Sequence, residues 1–225
     1  MSFSVPVKLQ TDAPGLETDL AAATGQLVSI GRLFYQNQWV QGTSGNFSMV
    51  VSREPFRLLI TASGVHKGMM SSEDFLEVDH KGEPISGVRR PSAETLIHLA
   101  VLSRCSAGAI LHTHSVWATI LSDAYAASGG LTIYGYEMLK GLAGVTSHEH
   151  QEWLPILENS QDYYSLSPEV SRTLKERPDI HGILLRRHGL YTWGDDIESA
   201  RRHAEVIEFL LEVIGRQHTA KSITT

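Results

Sequence analysis

The sequence contains one cysteine and no long apolar run, and these two shortages limit what the chain can be. With a single thiol, at Cys105, its 225 residues can form no intrachain disulfide, which fits a reducing cytoplasm. No stretch is long and apolar enough to span a bilayer. The segment from Met1 to Pro14 lacks the basic start and apolar run of a secretory signal, so we expect no membrane partner and interpret this segment as a loosely held tail.

Positive charge is also scarce. Lysine and arginine total 19 against 25 aspartates and glutamates, which gives a net charge of −6, and no basic cluster of the kind that follows a phosphate backbone occurs. We therefore expect no nucleic-acid partner. Hydrophobic residues make up 42% and charged residues 20%, the balance of an ordinary globular protein whose length allows a sizeable core.

Helical and strand-like patterns alternate along the chain. An apolar face at steps of three and four from Leu16 to Phe34 predicts a first helix, entered near Asp12 and Pro14. Short strands are predicted at 47–51, 58–61, 75–79, 109–111, 131–136, 182–186 and 190–193, and a short helix at 116–121. This mixture indicates one domain, residues 1–225, with a mixed α/β sheet covered by helices and with flexible tails at 1–14 and 217–225.

Two further helices carry capping signals. Ser92 is the predicted N-cap of the first of them. Asp195, with Glu198 three residues on, forms a capping-box pattern at the start of the last helix. That helix is predicted to end at a polar, frayed tail from Gln217.

His112-Thr113-His114 follows an apolar strand-like run. Side chains two residues apart on an extended chain point to the same face, so both imidazoles can bind one cation. Zinc prefers nitrogen and oxygen donors in a roughly tetrahedral shell, and a catalytic site leaves one position open for substrate. His188, which also follows an apolar strand, is the natural third ligand. An isolated His-x-His is a weak signal, and the alternative is that these are ordinary polar residues at strand ends.

A second pair, His148-Glu149-His150, follows a polar stretch with no buried strand to orient it. We interpret it as a solvated loop pair rather than a metal site. His98 lies one helical turn after Glu94 and can pair with it, although packing against neighbouring elements is the simpler interpretation.

Two glycine-containing loops, Thr43-Ser44-Gly45-Asn46 and Ala62-Ser63-Gly64, are suited to a phosphate group, and Ser92 at a helix start is a third candidate. Backbone amides, hydroxyls and a helix N-terminus together bind a dianion well. Glycine lets the backbone approach the ligand closely, and Lys67 would add positive charge. The alternative is that these loops are simple turns, which use the same residue types.

Proton transfer near a metal needs an acid or base, and Glu94 and Glu137 are the two candidates. Each lies beside apolar residues, where a raised pKa would suit proton transfer. Either is equally compatible with an exposed helix glutamate. Spacing alone does not choose between them.

Several motifs resemble one known family. They occur in the order Ser44-Gly45-Asn46, Ile60-Thr61-Ala62-Ser63-Gly64, Pro91-Ser92-Ala93-Glu94, His112-Thr113-His114-Ser115 and Arg187-His188-Gly189. In these motifs the chain resembles the class II aldolase/adducin family, from about residue 20 to 211. Within that family, the segments 135–141, 154–159 and 190–194 are most similar to the methylthioribulose-1-phosphate dehydratase branch, because the run Glu-Met-Leu-Lys-Gly separates this branch from the sugar-phosphate aldolases.

The resemblance implies a three-layer α/β/α sandwich around a mostly antiparallel central sheet. It implies one zinc ion per subunit on His112, His114 and His188, with Glu137 as the proton shuttle and Glu94 at the position of the metal-adjacent acid of the aldolases. It also implies a phosphorylated keto-sugar substrate. The phosphate of that substrate would lie on Thr43, Gly45, Asn46, Ser63, Gly64 and Ser92.

The implied reaction is the dehydration of 5-methylthioribulose 1-phosphate in methionine salvage, by a homotetramer with active sites near its subunit interfaces. The nearest alternative is an aldolase or 4-epimerase that acts on another sugar phosphate with the same zinc site. An alternative of another class is a non-catalytic, adducin-like binding module. The full histidine set argues against that module, since a scaffold has no need of three convergent ligands.

Overall fold

An eight-stranded sheet runs through the computed structural model, which describes residues 19–85 and 88–223. The α-helices in these residues are α1 (Leu20–Gln36), α2 (Thr95–Leu102), α3 (Val116–Ala124), α4 (Tyr163–Glu176) and α5 (Ile197–Ile223). The strands are β1 (Asn46–Arg53), β2 (Phe56–Thr61), β3 (Phe75–Val78), β4 (Ala109–Thr113), β5 (Gly130–Tyr134), β6 (Gln151–Leu157), β7 (Gly182–Leu185) and β8 (Gly189–Gly194).

The strand order brings polar residues from distant parts of the sequence together. The order is β3-β2-β1-β4-β8-β7-β6-β5, and every neighbouring pair is antiparallel except β6 and β7. Because β4 lies between β1 and β8, Asn46 pairs with His112 and His112 pairs with Tyr191. Paired residues project from the same face, so these three side chains are neighbours near the middle of the sheet.

Helices cover both faces of the sheet. Successive residues of β7 and β8 alternate between two apolar clusters, as expected for extended chains. Ile183 and Tyr191 belong to a cluster that includes residues of α2 and α4, whereas Leu184 and Leu190 belong to one that includes residues of α3. The predicted fold class, an α/β/α sandwich around a mostly antiparallel sheet, is confirmed.

Each strand predicted from the sequence is present, with ends that agree within about two residues. Two elements were not predicted. β6 contains Pro155, which is uncommon inside strands, and it begins with the polar residues Gln151 and Glu152. α4 contains Pro168 at its sixth position, and a proline inside a helix removes one backbone hydrogen bond, so the pattern did not indicate a helix there.

The predicted start of α2 is wrong by a few residues. The helix begins at Thr95, so Glu94 rather than Ser92 occupies the N-cap position. Ser92 begins a turn just before the helix, in which the Ser92 carbonyl accepts from the N–H of Thr95 at 3.1 Å. The turn leaves the Glu94 side chain free to point into the interior instead of capping the helix.

The ends of α5 differ from the predicted ones by a few residues. Asp196, not Asp195, accepts from the N–H of Ser199 at the start of α5, at 2.7 Å. The helix continues to Ile223, past the predicted end at Gln217. The predicted entry to α1 near residues 12 and 14, the proposed tail at 1–14 and the last two residues of the tail proposed at 217–225 lie outside the described residues. No helix within residues 19–85 and 88–223 has the length and apolar character needed to cross a membrane.

Candidate metal centre and active site

Three imidazoles converge at the end of β4. His112 belongs to β4 and His114 follows it, whereas His188 lies in the turn between β7 and β8. The Nε2 atom of His188 lies 3.3 Å from His112 Nε2 and 3.1 Å from His114 Nε2. The structure therefore brings together the three residues that the sequence suggested as ligands.

Two glycines allow this close approach. A methyl group on Gly189 would overlap the carbonyl of Thr113, so only glycine lets the His188 turn lie against the end of β4. Gly45 has a φ of 74° and faces the carbonyl of His112, where an added Cβ would lie 2.6 Å from that oxygen. The loop before β1 is therefore held directly against the histidine strand.

The outer nitrogens of two of these rings are already occupied. His112 Nδ1 lies 2.9 Å from the carbonyl oxygen of Leu190, and His188 Nδ1 lies 3.1 Å from Asn159 Oδ1. Both partners are acceptors, so each Nδ1 carries the proton and each Nε2 presents a lone pair to the centre. Lone pairs that face one another at this distance are suited to a shared cation.

Glu94 completes the ring of donors. Its Oε2 lies 3.2 Å from His112 Nε2 and its Oε1 lies 3.3 Å from His188 Nε2. Donor atoms bound at about 2.0 Å to one tetrahedral ion lie about 3.3 Å apart, which is the spacing seen here. Three imidazoles fit zinc by donor type and by separation, and the Glu94 carboxylate lies against two of them. We call His112, His114, His188 and Glu94 the metal centre.

Buried neighbours hold the Glu94 carboxylate in place. Asn46 Nδ2 donates to Oε2 at 2.6 Å, the buried hydroxyl of Tyr191 donates to the same oxygen, and the Tyr163 hydroxyl lies 3.4 Å from Oε1. The ring of Tyr191 also stacks on His112, with centroids 3.8 Å apart. These contacts fix both the orientation and the charge of the acid.

Burial sets the protonation of the metal centre. Burial holds the pKa of His112 well below its usual value and lowers the pKa of His114 to about 4. Burial also opposes ionisation of Glu94, but the adjacent His112 and His188 and the Tyr191 hydroxyl outweigh it and lower the pKa of that carboxyl. Neutral imidazoles and an ionised carboxylate are the forms that bind a metal ion.

Glu137 lies elsewhere. It begins a 3₁₀ turn, Glu137–Gly141, and 71% of its side chain is exposed. Its carboxylate pairs with Lys140 at 2.5 Å and with His148 at 3.8 Å, and these hydrogen-bonding and ionic contacts lower its pKa. Within the described chain, none of the contacts found for Glu137 is to the metal centre. Of the two acids suggested by the sequence, the structure brings only Glu94 to the histidines.

The predicted phosphate loops do meet. Ala62 forms a β-bridge with Pro91, which joins the 62–64 loop to the turn at Ser92. Buried Lys67 joins the 62–64 loop to the 43–46 loop, because its Nζ donates to the carbonyls of Val65 at 2.7 Å and Thr43 at 3.1 Å. Burial lowers the pKa of Lys67 to about 8, so the side chain is still largely charged at neutral pH.

The residues of the three predicted phosphate-binding segments differ in exposure, and therefore in the groups that a ligand can reach. Thr43, Ser63 and Gly64 are exposed, and Gly64 has a φ of 76°. Asn46 is buried, with its Nδ2 on Glu94 and its Oδ1 2.5 Å from His98 Nε2. The structure therefore places the Asn46 side chain in the network that orients Glu94, and this network already uses both ends of its amide.

Sequence reasoning missed two buried residues beside the metal centre. Tyr191 sits in an apolar strand, where nothing marks it as polar until β4 is known to be its neighbour. Glu208 of α5 is buried and accepts a hydrogen bond from Thr113, between two of the histidines. A signal for Glu208 existed, because it interrupts the apolar stripe formed by Ala204, Ile207 and Leu211.

The interpretation of His148-Glu149-His150 as a solvated pair is wrong for one member. His150 Nε2 lies 2.9 Å from Oε2 of Glu152, whose side chain is only 1% exposed, and His181 Nδ1 lies 3.0 Å from the same oxygen. His150, Glu152 and His181, which we call the second cluster, also have ligand atoms close enough to hold a metal ion.

Comparison with known proteins identifies the family. A family model described as the Class II Aldolase and Adducin N-terminal domain matches residues 25–214. The chain belongs to the class II aldolase and adducin family. This confirms the resemblance seen in the sequence motifs.

Two relatives and one solved structure are similar to this chain over most of its length. A methylthioribulose-1-phosphate dehydratase from Pseudoalteromonas translucida is 44% identical over 189 residues, which cover 84% of this chain and 88% of that protein. One from Azotobacter vinelandii is 42% identical, with 85% of this chain and 92% of that protein covered. Among solved structures, the L-fuculose-1-phosphate aldolase from Thermus thermophilus matches with a TM-score of 0.70 at 22% identity, over 91% of this chain and 99% of that chain. That likeness shows the shared fold alone.

Proposed function

We propose that this chain is a cytoplasmic hydro-lyase of methionine salvage. It removes water from 5-methylthioribulose 1-phosphate and gives 5-methylthio-2,3-dioxopentyl phosphate. The observation that carries the proposal is the convergence of three imidazole nitrogens and the Glu94 carboxylate beside the loops suited to phosphate. The names of the relatives that are 42 to 44% identical over most of the chain support the choice of substrate.

One zinc ion per subunit would be held by His112, His114 and His188. The ion, when bound, supplies a Lewis acid that stabilises negative charge on the carbonyl oxygen at carbon 2. Glu94 lies against the same histidines and would add a fourth donor or leave that place to substrate. Asn159 and the Leu190 carbonyl keep the two inner nitrogens free of protons.

The substrate phosphate would lie on the three joined loops. Proposed contacts come from Thr43, Gly45, Asn46, Ser63, Gly64 and Ser92, with Asn46 contributing through its backbone because its side chain holds Glu94. Lys67 supports this assignment, since its charge is buried and its two bonds are to carbonyl oxygens rather than to a carboxylate. Binding the phosphate at a distance from the reacting carbons orients them without chemistry at that end.

Proton transfer would fall to Glu137. Its carboxylate takes the proton from carbon 3, and the protonated acid then gives that proton to the hydroxyl leaving carbon 4, so that water departs and a carbon–carbon double bond remains. The enol formed at carbon 3 then moves its proton to carbon 4 and becomes the second ketone. No oxidant or reductant is needed, because only water is lost.

Glu137 would reach the metal centre across a subunit interface of a homotetramer. In one chain its carboxylate is exposed and bonds only within its own loop, to Lys140 and His148. An acid that one chain supplies to the site of its neighbour would be exposed in this way in its own chain. Glu94 then orients groups at the metal and Glu137 moves protons.

Mixing two inactive variants tests this arrangement. Glu137→Gln keeps the metal centre, and His112→Ala keeps Glu137, so each alone should lose most turnover. Tetramers reassembled from both should recover roughly a quarter to a half of wild-type activity, because some sites receive an intact histidine set from one chain and Glu137 from another. Formation of the diketone would be followed by its absorbance.

The outcomes separate the alternatives. Recovery would not occur if Glu137 served its own chain, and near-normal turnover of Glu137→Gln would remove its role altogether. Release of a triose phosphate in place of the diketone would indicate an aldolase. A well-folded wild-type protein that binds no zinc would indicate a binding module without catalysis.

A further inference from the structure

In the loop that carries Glu137, Ala143 is held at both of its backbone polar groups. We call residues 135–150, which connect β5 to β6, the Glu137 loop. Ala143 donates its N–H to His203 Nε2 at 3.0 Å, and its carbonyl faces His181 Nε2 at 2.9 Å. Two imidazoles from outside the loop therefore hold both polar groups of one residue.

These two histidines must carry different charges. His203 accepts from Ala143 at Nε2 and points its Nδ1 at the carbonyl oxygen of Trp193 at 2.7 Å, so it has one proton. His181 faces an acceptor at each nitrogen, the Ala143 carbonyl and the Glu152 carboxylate, so it donates at both and is positively charged. Burial lowers the pKa of His203, whereas Glu152 outweighs burial and raises the pKa of His181.

Glu152 is the source of that charge. Its Oε1 accepts the backbone N–H of His181 at 2.9 Å, and this aims Oε2 at the His181 ring. The same Oε2 lies 2.9 Å from His150 Nε2, at the end of the Glu137 loop. One buried carboxylate thus orients a histidine that holds the middle of the loop and a second histidine that holds its end.

A metal ion would be the other way to join these three side chains, but the geometry favours protons. Both ring nitrogens point at one carboxylate oxygen, and the rings of His150 and His181 are 6.5 Å apart. In the metal centre the nitrogens point at one another, and the rings are 4.4 to 4.9 Å apart. Every contact of the second cluster pairs a donor with an acceptor, so it is complete without a cation.

We propose that Glu152 and His181 are positioning residues, which hold the Glu137 loop so that Glu137 can act. This rests on the role proposed for Glu137. We call this arrangement the relay: the Glu152 carboxylate keeps His181 charged, and His181 donates a hydrogen bond to the Ala143 carbonyl. The relay explains why His181 and the fully buried Glu152 lie beside the loop that carries the exposed Glu137.

The relay should work only within a range of pH. Facing His181 are Glu152 of β6, His150 of the Glu137 loop, His203 of α5 and Asp179 just before β7, with Arg202 acting on His203. Because the pKa of His181 is raised, its hydrogen bond to the Ala143 carbonyl is fully present below the ordinary histidine pKa. That bond is lost as the pH rises through the raised pKa. Because the pKa of His203 is lowered, its bond to Ala143 is lost at the acidic end.

Glu152→Gln removes the charge and keeps the shape. Turnover should fall about tenfold while KM stays within about twofold, as expected when a charged hydrogen bond that orients a group is lost. Amide exchange at 141–145 should become faster, and the alkaline limb of the turnover profile should move to lower pH. Glu149→Gln is the matched control, since Glu149 is an exposed carboxylate of the same loop with no bond to Ala143.

Unchanged turnover and unchanged exchange in Glu152→Gln would overturn the proposal. So would a second equivalent of zinc in the wild type that this variant loses, since a cation would then join the cluster. NMR titration of the wild type needs no variant: His181 must titrate above His203, and the reverse order overturns the relay. If Glu137→Gln proves fully active, the catalytic role fails, but exchange and titration still judge whether the loop is held as described.

Discussion

Two clusters of histidine and glutamate lie in this chain, and they differ in where the nitrogen atoms point. In the metal centre the inner nitrogen of His188 lies 3.3 Å from that of His112 and 3.1 Å from that of His114. In the second cluster the nitrogens of His150 and His181 converge on an oxygen of Glu152. Residue types alone would make both of them metal sites, so the direction of the lone pairs is the better criterion.

The outer hydrogen bonds explain the difference. Each of two metal-centre histidines donates its outer proton to an outside acceptor, which leaves inner lone pairs that suit a cation. His181 also donates outward, to Ala143, but its inner nitrogen faces an oxygen of Glu152, whereas the inner nitrogens of the metal centre also face one another. The first cluster is therefore suited to a metal ion, and protons satisfy the second.

Removing one histidine from each cluster should have the largest and most unequal effect. His188→Ala should reduce bound zinc from about one per chain to almost none, and turnover should fall by at least about 10³-fold as Lewis-acid stabilisation is lost. His181→Ala should keep its zinc and lose only about tenfold in turnover, through the Glu137 loop. Metal analysis of the purified variants, with steady-state rates, measures both.

Either of two results of the zinc analysis would contradict this difference between the clusters. Zinc retained by His188→Ala would mean that the ion does not depend on the convergence seen at β4. Zinc lost from His181→Ala would mean that the second cluster holds a metal after all, and the criterion of lone-pair direction would fail.

Glu208 sharpens the comparison, because it is a buried acid whose hydrogen bonds come from the hydroxyls of Thr113 and Ser115. Burial raises its pKa to about 7, against the opposing hydrogen bonds from Ser115 and Thr113. A raised carboxyl pKa means that stability is complete below about pH 4.5 and declines as the pH rises to about 7. The loss should reach about 3 kcal/mol of unfolding free energy. Glu208→Gln cannot ionise, so this decline should be absent from it.

Urea unfolding at pH 4.5 and pH 8, with zinc present throughout, measures the effect. The variant should gain on the wild type between the two values. Glu212→Gln is the control on the same helix, since Glu212 is half exposed and pairs with Arg216. Equal pH dependence in wild type and Glu208→Gln would show that Glu208 is ionised in the fold, as Glu152 is.

The sequence was enough to predict seven of the eight strands of the sheet and to single out the three histidines, but not their neighbours. Short apolar runs in β4 and β8 mark each strand locally, and a histidine at a strand end is visible in the same way. The network of Asn46, Glu94 and Tyr191 depends on the order β1-β4-β8, and no local pattern encodes that order.

Two other misses have similar causes. His150 was interpreted as solvated because its partner Glu152 begins a strand that polar residues and a proline disguise. The distance of Glu137 from the metal centre within one chain also could not be predicted, since a motif gives the identity of a residue and not its place in the fold.

Tyr191→Phe should have the smallest effect, and it tests whether the surroundings of the metal centre tune its affinity. The phenylalanine ring keeps the stack on His112, at a centroid distance of 3.8 Å in the wild type, and loses only the hydroxyl that donates to Glu94. Loss of such an outer hydrogen bond should weaken zinc binding by about tenfold. Chelator competition measures this change, with Tyr164→Phe, an exposed tyrosine of α4, as the control. Unchanged affinity would show that Asn46 and Tyr163 suffice to orient Glu94, and a loss as large as that of His188→Ala would show that the stack itself was disturbed.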